Sequence, residues 1–304
     1  MSEIFVSGLI NLETSLNIDH FPLEYSPVHY PFYGIESAVS GVGYNVARAL
    51  VMLENRVRFA SYAGNDHTGR LVLERVKEFA GSSEGILPSL QTTPQSVILY
   101  DKHGKRQIHV DLKDIQEQSY PLEKAEKLMR GAKLAVLCNV NFSRPLLNLA
   151  RKLDIPVATD VHALSSTEDE YNRDFMEAAD ILFLSDENIP LPAEKWIRVL
   201  SRKFSSIIIV IGMGEQGALI YDRKTEMVHH IPAVKNLSVV NTIGAGDALF
   251  SSFVHFYLKG ESPVLSLQKA CFFAACKIGA KNASLGFITE KEVNDRVKNE
   301  YPCL

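Results

Sequence analysis

Arg56-Val57-Arg58-Phe59-Ala60-Ser61-Tyr62-Ala63-Gly64-Asn65-Asp66-His67-Thr68-Gly69-Arg70-Leu71-Val72-Leu73-Glu74-Arg75-Val76-Lys77-Glu78-Phe79 holds one complete strand, turn and helix. The run from Arg56 to Ala63 is apolar enough to be a strand covered on both faces, as in parallel sheets. Gly64 to Gly69 makes a tight turn in which Asp66 or Thr68 caps the next helix. From Gly69 to Phe79 the apolar residues fall at helical spacing. The same unit recurs on either side. Strands are predicted at Ile4 to Leu9, Leu134 to Leu137, Ile155 to Thr159, Ile181 to Leu184 and Ile207 to Ile211, with helices at Tyr44 to Leu53, Leu122 to Arg130, Arg144 to Leu153 and Ala193 to Phe204. Alternating β and α elements predict one α/β domain over residues 1–304, an open, mostly parallel sheet with helices on both faces and ligands at the carboxyl ends of its strands.

Two stretches interrupt that order, about residues 12–35 and 90–112. They contain short alternating segments such as Ser96 to Tyr100 and Gln107 to Asp111 about a Lys102-His103-Gly104-Lys105 turn. Hairpins of this kind lie outside βαβ units. They are read as a small β-rich lid over the edge where substrate enters, with ordinary surface hairpins as the alternative.

Composition excludes several classes. Apolar residues make up 46% of the 304 and charged residues 22%, the balance of a soluble globular chain. A net charge of -4 gives no basic footprint for a nucleic acid or an anionic membrane. The start of the chain lacks a basic segment followed by a long apolar run, and no 18-residue apolar run occurs anywhere, so a cytoplasmic protein is expected. Cys138, Cys271, Cys276 and Cys303 form no C-x-x-C pair, and the histidines form no metal-binding pattern.

Asn241-Thr242-Ile243-Gly244-Ala245-Gly246-Asp247-Ala248-Leu249-Phe250 leads from an apolar strand, Leu237 to Val240, into a helix that begins near Gly246. Glycines allow backbone N–H groups to approach a ligand, and those groups with the helix N-terminus favour an anion. A carboxylate at such a mouth, Asp247, is suited to take a proton from an attacking hydroxyl. Taken alone, the segment also fits a plain helix entry. Ser40-Gly41-Val42-Gly43-Tyr44-Asn45-Val46-Ala47 is a second glycine turn opening a helix, with an amide at Asn45 that can donate and accept to a diol. Asn11 and Glu13 follow the first strand at the ligand edge. Gly212-Met213-Gly214-Glu215-Gln216-Gly217 matches G-x-G-x-x-G, yet Ala218 to Tyr221 reads as a strand where a dinucleotide site requires a helix. A hairpin bordering a nucleotide phosphate fits better.

In this order the segments resemble the ribokinase (PfkB) family of sugar and nucleoside kinases over nearly the whole chain. Gly8 to Glu13 followed by Phe21-Pro22 is similar to the family's opening strand with its N-x-D. Ser40 to Ala47 resembles G-G-x-G-x-N-x-A, Gly64 to Gly69 resembles G-x-D-x-x-G, and Asn241 to Asp247 resembles D-T-x-G-A-G-D. The resemblance implies Asp247 as catalytic base and Gly244, Ala245 and Gly246 as an anion hole. It implies acceptor contacts from Asn11, Glu13, Gly41, Asn45 and Asn141. ATP would lie between the Gly212, Gly214 and Gly217 hairpin and the Ala280 to Gly286 region, touching Thr242, Asn282 and Gly286. Magnesium would bridge the phosphates, and the lid would serve as a homodimer interface.

Departures from the pattern are informative. Glu13 stands for the usual Asp, and Ser40 for the first Gly of its pair. Asn241 replaces an Asp associated with monovalent-cation binding in relatives, which leaves K+ activation open. The family's N-x-x-E aligns with Ser185-Asp186-Glu187-Asn188, so Asp186 and Glu187 are the carboxylates available for magnesium. Val42 stands where ribokinases proper carry Lys, and Gly41 to Asn45 with Cys138-Asn139-Val140-Asn141 is similar to pseudouridine kinases. The expected activity is phosphoryl transfer from ATP to a primary hydroxyl of a small sugar, with a nucleoside acceptor as the alternative. A catalytically weak sugar- or nucleoside-binding regulator is the alternative of another class.

Overall fold

A computed structural model describes residues 2–102, 105–234, 242–279 and 286–300. The predicted strand Leu237 to Val240, the tip of the Lys102 to Lys105 turn, Asn241, Asn282 and Cys303 lie outside the described residues. In chain order the strands are β1 (Glu3–Ser7), β2 (Asn11–Asn17), β3 (Ile35–Ser40), β4 (Arg56–Gly64), β5 (Ile86–Leu90), β6 (Gln95–Tyr100), β7 (Arg106–Asp111), β8 (Leu134–Leu137), β9 (Val157–Ala163), β10 (Ile181–Ser185), β11 (Ile208–Gly212), β12 (Ala218–Asp222) and β13 (Met227–Ile231). The helices are α1 (Val42–Met52), α2 (His67–Ala80), α3 (Leu122–Met129), α4 (Arg144–Lys152), α5 (Arg173–Ala178), α6 (Ala193–Lys203), α7 (Ala245–Leu258), α8 (Pro263–Lys277) and α9 (Glu290–Glu300).

Nine strands form the main sheet in the order β13-β12-β11-β10-β9-β8-β1-β4-β5. From β5 to β11 the pairs are parallel, and β12 and β13 close the sheet as an antiparallel edge. Alternate residues of one strand serve opposite cores, because strand side chains point to opposite faces. Phe5 packs with Leu146, Phe175 and Ile197 of α4, α5 and α6, whereas its neighbours Ile4 and Val6 pack with Leu50, Val76 and Phe253 of α1, α2 and α7. Ile209 and Ile211 join the first core, Ile208 and Val210 the second. That double covering is why these strands read as continuous apolar runs.

A separate sheet runs β3-β2-β6-β7, with β2 parallel to β6 and the outer pairs antiparallel. It realises the expected β-rich element, with β3 taking the segment just before the Ser40 turn. Its inner face buries Asn11, Glu13, Ser15, Ser96 and Ile98. The turn after β4 is capped by Asp66, whose Oδ1 accepts from the Gly69 N–H at 2.7 Å. β9 starts at Val157, two residues later than expected, after Pro156, which has no N–H to give a ladder. It also continues past Thr159 to Ala163. Among the described residues no helix is long and apolar enough to cross a membrane.

Candidate active site

Close backbone packing brings the site together. A Cβ on Gly43 would lie 2.5 Å from the carbonyl carbon of Gly8, and one on Gly8 would lie 2.5 Å from Cys138 Sγ. Gly41 adopts φ 107, open to glycine, and the N–H groups of Gly43 and Tyr44 both donate to Leu9 O. The Ser40 to Gly43 turn therefore presses the start of α1 onto the end of β1. Its consequence is the position of Asn45.

Asn45 Nδ2 donates to Asp247 Oδ2 at 2.7 Å, joining the first turns of α1 and α7 across 202 residues of sequence. The Ser40 hydroxyl lies 3.1 Å from Glu13 Oε2 and 3.3 Å from Asn45 Oδ1, which links β2 to the same cluster. Asn11 Nδ2 donates to Ser96 Oγ at 2.9 Å, so β2 and β6 of the second sheet both contribute. The buried Asn11 Oδ1 has no hydrogen-bond partner among the described residues. A buried acceptor left open costs free energy and suits a ligand hydroxyl.

The electrostatics of the cluster follow from burial. Removal from water pushes the Glu13 carboxyl up to about 7; the Ser40 hydrogen bond and Lys277 oppose that rise, while the Asp247 charge adds to it. Asp247 is also raised above the ordinary carboxylate range, chiefly by burial, with Asn45, His162 and Lys277 favouring its charged form and Asp160 disfavouring it. A carboxyl of this kind has more proton affinity than a solvated one, which suits it to accept a proton near neutral pH.

The α7 N-terminus is shaped for an anion. Gly244 caps it in the left-handed conformation, φ 75, and a Cβ on Gly246 would meet nothing within 4 Å. The Ala245 N–H turns back to Thr242 O at 3.2 Å, whereas the N–H groups of Gly246 and Asp247 have no backbone partner among the described residues. From β7, Arg106 Nη1 donates to both Thr242 O and Thr242 Oγ1 at 3.2 Å, and its Nη2 lies 3.8 Å from Glu187 Oε1.

At the hairpin expected to border a nucleotide, Gly212 ends β11 and its carbonyl accepts the Asp186 N–H at 2.9 Å, so the Ser185 to Glu187 loop adjoins the Gly212 to Gly217 hairpin. A Cβ at Gly214 would meet open space, while one at Gly217, φ 93, would lie 2.0 Å from Ile231 O. Gly214 thus leaves room at the surface, and Gly217 is needed for the hairpin to pack on β13. Gly286 adopts φ 83. Burial raises Asp186, and Glu187 is exposed. Among the described residues no three His, Cys, Asp or Glu side chains are grouped to cage a metal.

Asn11, Glu13, Gly41, Asn45 and Asp247 are brought together. Asn141 is not part of that hydrogen-bonded cluster: its Nδ2 donates to Gln116 O at 3.0 Å and its Oδ1 accepts from Arg144 at 3.3 Å. Sequence reasoning missed Ser96, Arg106, Asp160, His162 and Lys277. For Asp160 a signal was present, since it follows the predicted strand end on the ligand edge. Arg106, Ser96 and Lys277 lie in segments with no motif of their own.

The pattern of the pfkB family carbohydrate kinases matches residues 1–290. The acarbose 7(IV)-phosphotransferase of Actinoplanes is 24% identical over 285 residues, 93% of this chain and 94% of the relative. The guanosine-inosine kinase of Exiguobacterium acetylicum is 31% identical over 258 residues, 77% of this chain and 82% of the relative. Among solved structures, the microbiome-derived acarbose kinase Mak1 superposes with a TM-score of 0.85 at 20% identity, over 97% of this chain and 98% of the other. With its ribokinase-like fold, its kinase relatives and a match spanning nearly its full length, the chain belongs to the pfkB family of carbohydrate kinases.

Proposed function

We propose that this kinase transfers the γ-phosphoryl group of ATP to a primary hydroxyl of a small sugar, with Asp247 as general base. The observation that carries the reading is the Asn45 to Asp247 hydrogen bond, which unites the two glycine-turn motifs in one buried cluster. The acceptor hydroxyl gives its proton to the Asp247 carboxylate as its oxygen bonds to the γ-phosphorus. The bond from that phosphorus to the β,γ-bridging oxygen breaks, and ADP departs. Gly244, Ala245 and Gly246 form the anion hole, where the N–H of Gly246 and the helix dipole receive the developing charge. Asn11, Glu13, Gly41 and Asn45 hold the acceptor, the open Asn11 Oδ1 accepting a hydrogen bond from one of its hydroxyls.

The Gly212 to Gly217 hairpin, Thr242 and Gly286 border the nucleotide. Magnesium would supply neutralisation of the phosphate charge here. The absence of a full protein cage among the described residues fits an ion held mainly by phosphates and water. Asp186, partly buried beside Gly212, and Glu187 are the residues that would reach it. The four-stranded sheet acts as a lid on a single domain. A homodimer through that sheet is supported by Ile108 and Val110, which are exposed although they continue the face on which Ile98 is buried.

A nucleoside acceptor is the second reading, favoured by the 31% identity to a guanosine-inosine kinase. Release of ADP across a panel of pentoses, hexoses and nucleosides tests both. Turnover with a free sugar supports the first reading and turnover restricted to nucleosides the second. Thermal stabilisation by a sugar without any ADP release contradicts both and points to a binding protein.

A further inference from the structure

Lys277, the last residue of α8, is the most deeply buried Lys, Arg, Asp or Glu side chain among the described residues, with no exposed surface. Burying an ammonium is costly unless polar groups receive it. Here it donates from Nζ to the carbonyl of Ile243, the residue immediately before Gly244. The surrounding charges are Asp247 on α7 and Glu13 on β2, which favour the ammonium, and Arg106 on β7, which disfavours it. Burial lowers the Lys277 pKa to about 8, so the group carries its charge at neutral pH.

The position has a geometric consequence. In a planar trans peptide the C=O and N–H point in opposite directions. Fixing Ile243 O on the buried ammonium therefore turns the Gly244 N–H away from α8, and polarising the carbonyl strengthens that N–H as a donor. A methionine of similar length would fill the same space at no electrostatic cost, so packing alone does not call for a lysine. A dissolved monovalent cation could meet the same carbonyl and carboxylates only where the ammonium is missing.

We propose that Lys277 is a positioning residue of phosphoryl transfer, its ammonium fixing the Ile243 to Gly244 peptide of the anion hole as a built-in cation that makes turnover independent of dissolved monovalent ions. The proposal rests on the kinase reading above. The test compares wild type, Lys277→Met and Lys277→Ala in potassium, ammonium and choline chlorides at equal ionic strength, with kcat and KM read separately. Wild-type kcat is expected to be the same in all three salts. Lys277→Met is expected to lose about 10- to 100-fold in kcat, somewhat less than loss of a direct oxyanion donor, with acceptor KM little changed. Lys277→Ala is expected to regain activity in ammonium or potassium and not in choline.

A wild-type kcat that collapses in choline overturns the proposal, and needs no variant to fold. Wild-type kcat in a folded Lys277→Met overturns it too, as does a loss in Lys277→Ala that no cation relieves. Should wild type turn over no acceptor at all, the kinase reading fails instead. The Lys277 geometry is then read by thermal shift: ATP should stabilise wild type and not Lys277→Met, and equal stabilisation contradicts it.

Discussion

Glu13 shows at the scale of one residue how a side chain of the proposed acceptor site is buried against the interest of stability. Its folded pKa of about 7 stands above the ordinary 4.5, mainly because burial favours the neutral acid. Between those values the folded chain binds a proton that the unfolded chain has released. Stability from this source is full below the unfolded pKa and is lost as pH rises through 7. Glu13→Gln keeps an acceptor for Ser40 and removes the titration. It should leave Tm nearly unchanged at pH 4 and raise it by several degrees at pH 8, a gain of about 2 to 3 kcal/mol from a shift of this size. Thermal unfolding at the two pH values checks this, and the same Tm difference at both would contradict a buried, neutral Glu13. Asn11, Asn45 and Asp247 were legible in the sequence because each sits beside a glycine turn or a strand end with defined chemistry. Lys277 was not, since a lysine in the last turn of a helix also suits the helix dipole and betrays nothing of its burial.

At the scale of the element, Arg106 is the hydrogen-bonded link between the second sheet and the α7 turn, beside the buried contact of Ile98 with Ile243. It is anchored on β7 and reaches Thr242 by two hydrogen bonds. Hydrogen bonds from a charged donor contribute about 1.5–3 kcal/mol. Arg106→Ala should therefore lower kcat/KM about ten-fold or more while leaving Tm within a few degrees, as steady-state kinetics and calorimetry would report. Unchanged kinetics would mean that the sheet and the turn act independently. The strands of the main sheet were legible because helices on both faces make them uniformly apolar. β5 was not: Pro88 interrupts it and its central residues are exposed, as the edge position allows. The extension of β9, which carries Asp160 and His162 toward Asp247, was hidden because polar residues at a ligand edge break the apolar pattern that marks a strand.

At the scale of the molecule, exposed Ile108 and Val110 on β7 leave an apolar surface at the edge of the second sheet. Sedimentation should find a dimer for wild type and a monomer for Ile108→Glu, with the main sheet's Tm unaltered; a monomeric wild type would remove the proposed interface. The central claim concerns Asp247, to which the α1 turn, the second sheet and the α7 helix all lead. Its most direct test is the turnover of Asp247→Asn beside wild type, on whichever acceptor the panel identifies. General bases contribute about 100- to 10,000-fold. A variant with wild-type Tm and a kcat reduced on that scale is the expected result, and near-wild-type turnover by a folded Asp247→Asn would contradict the account.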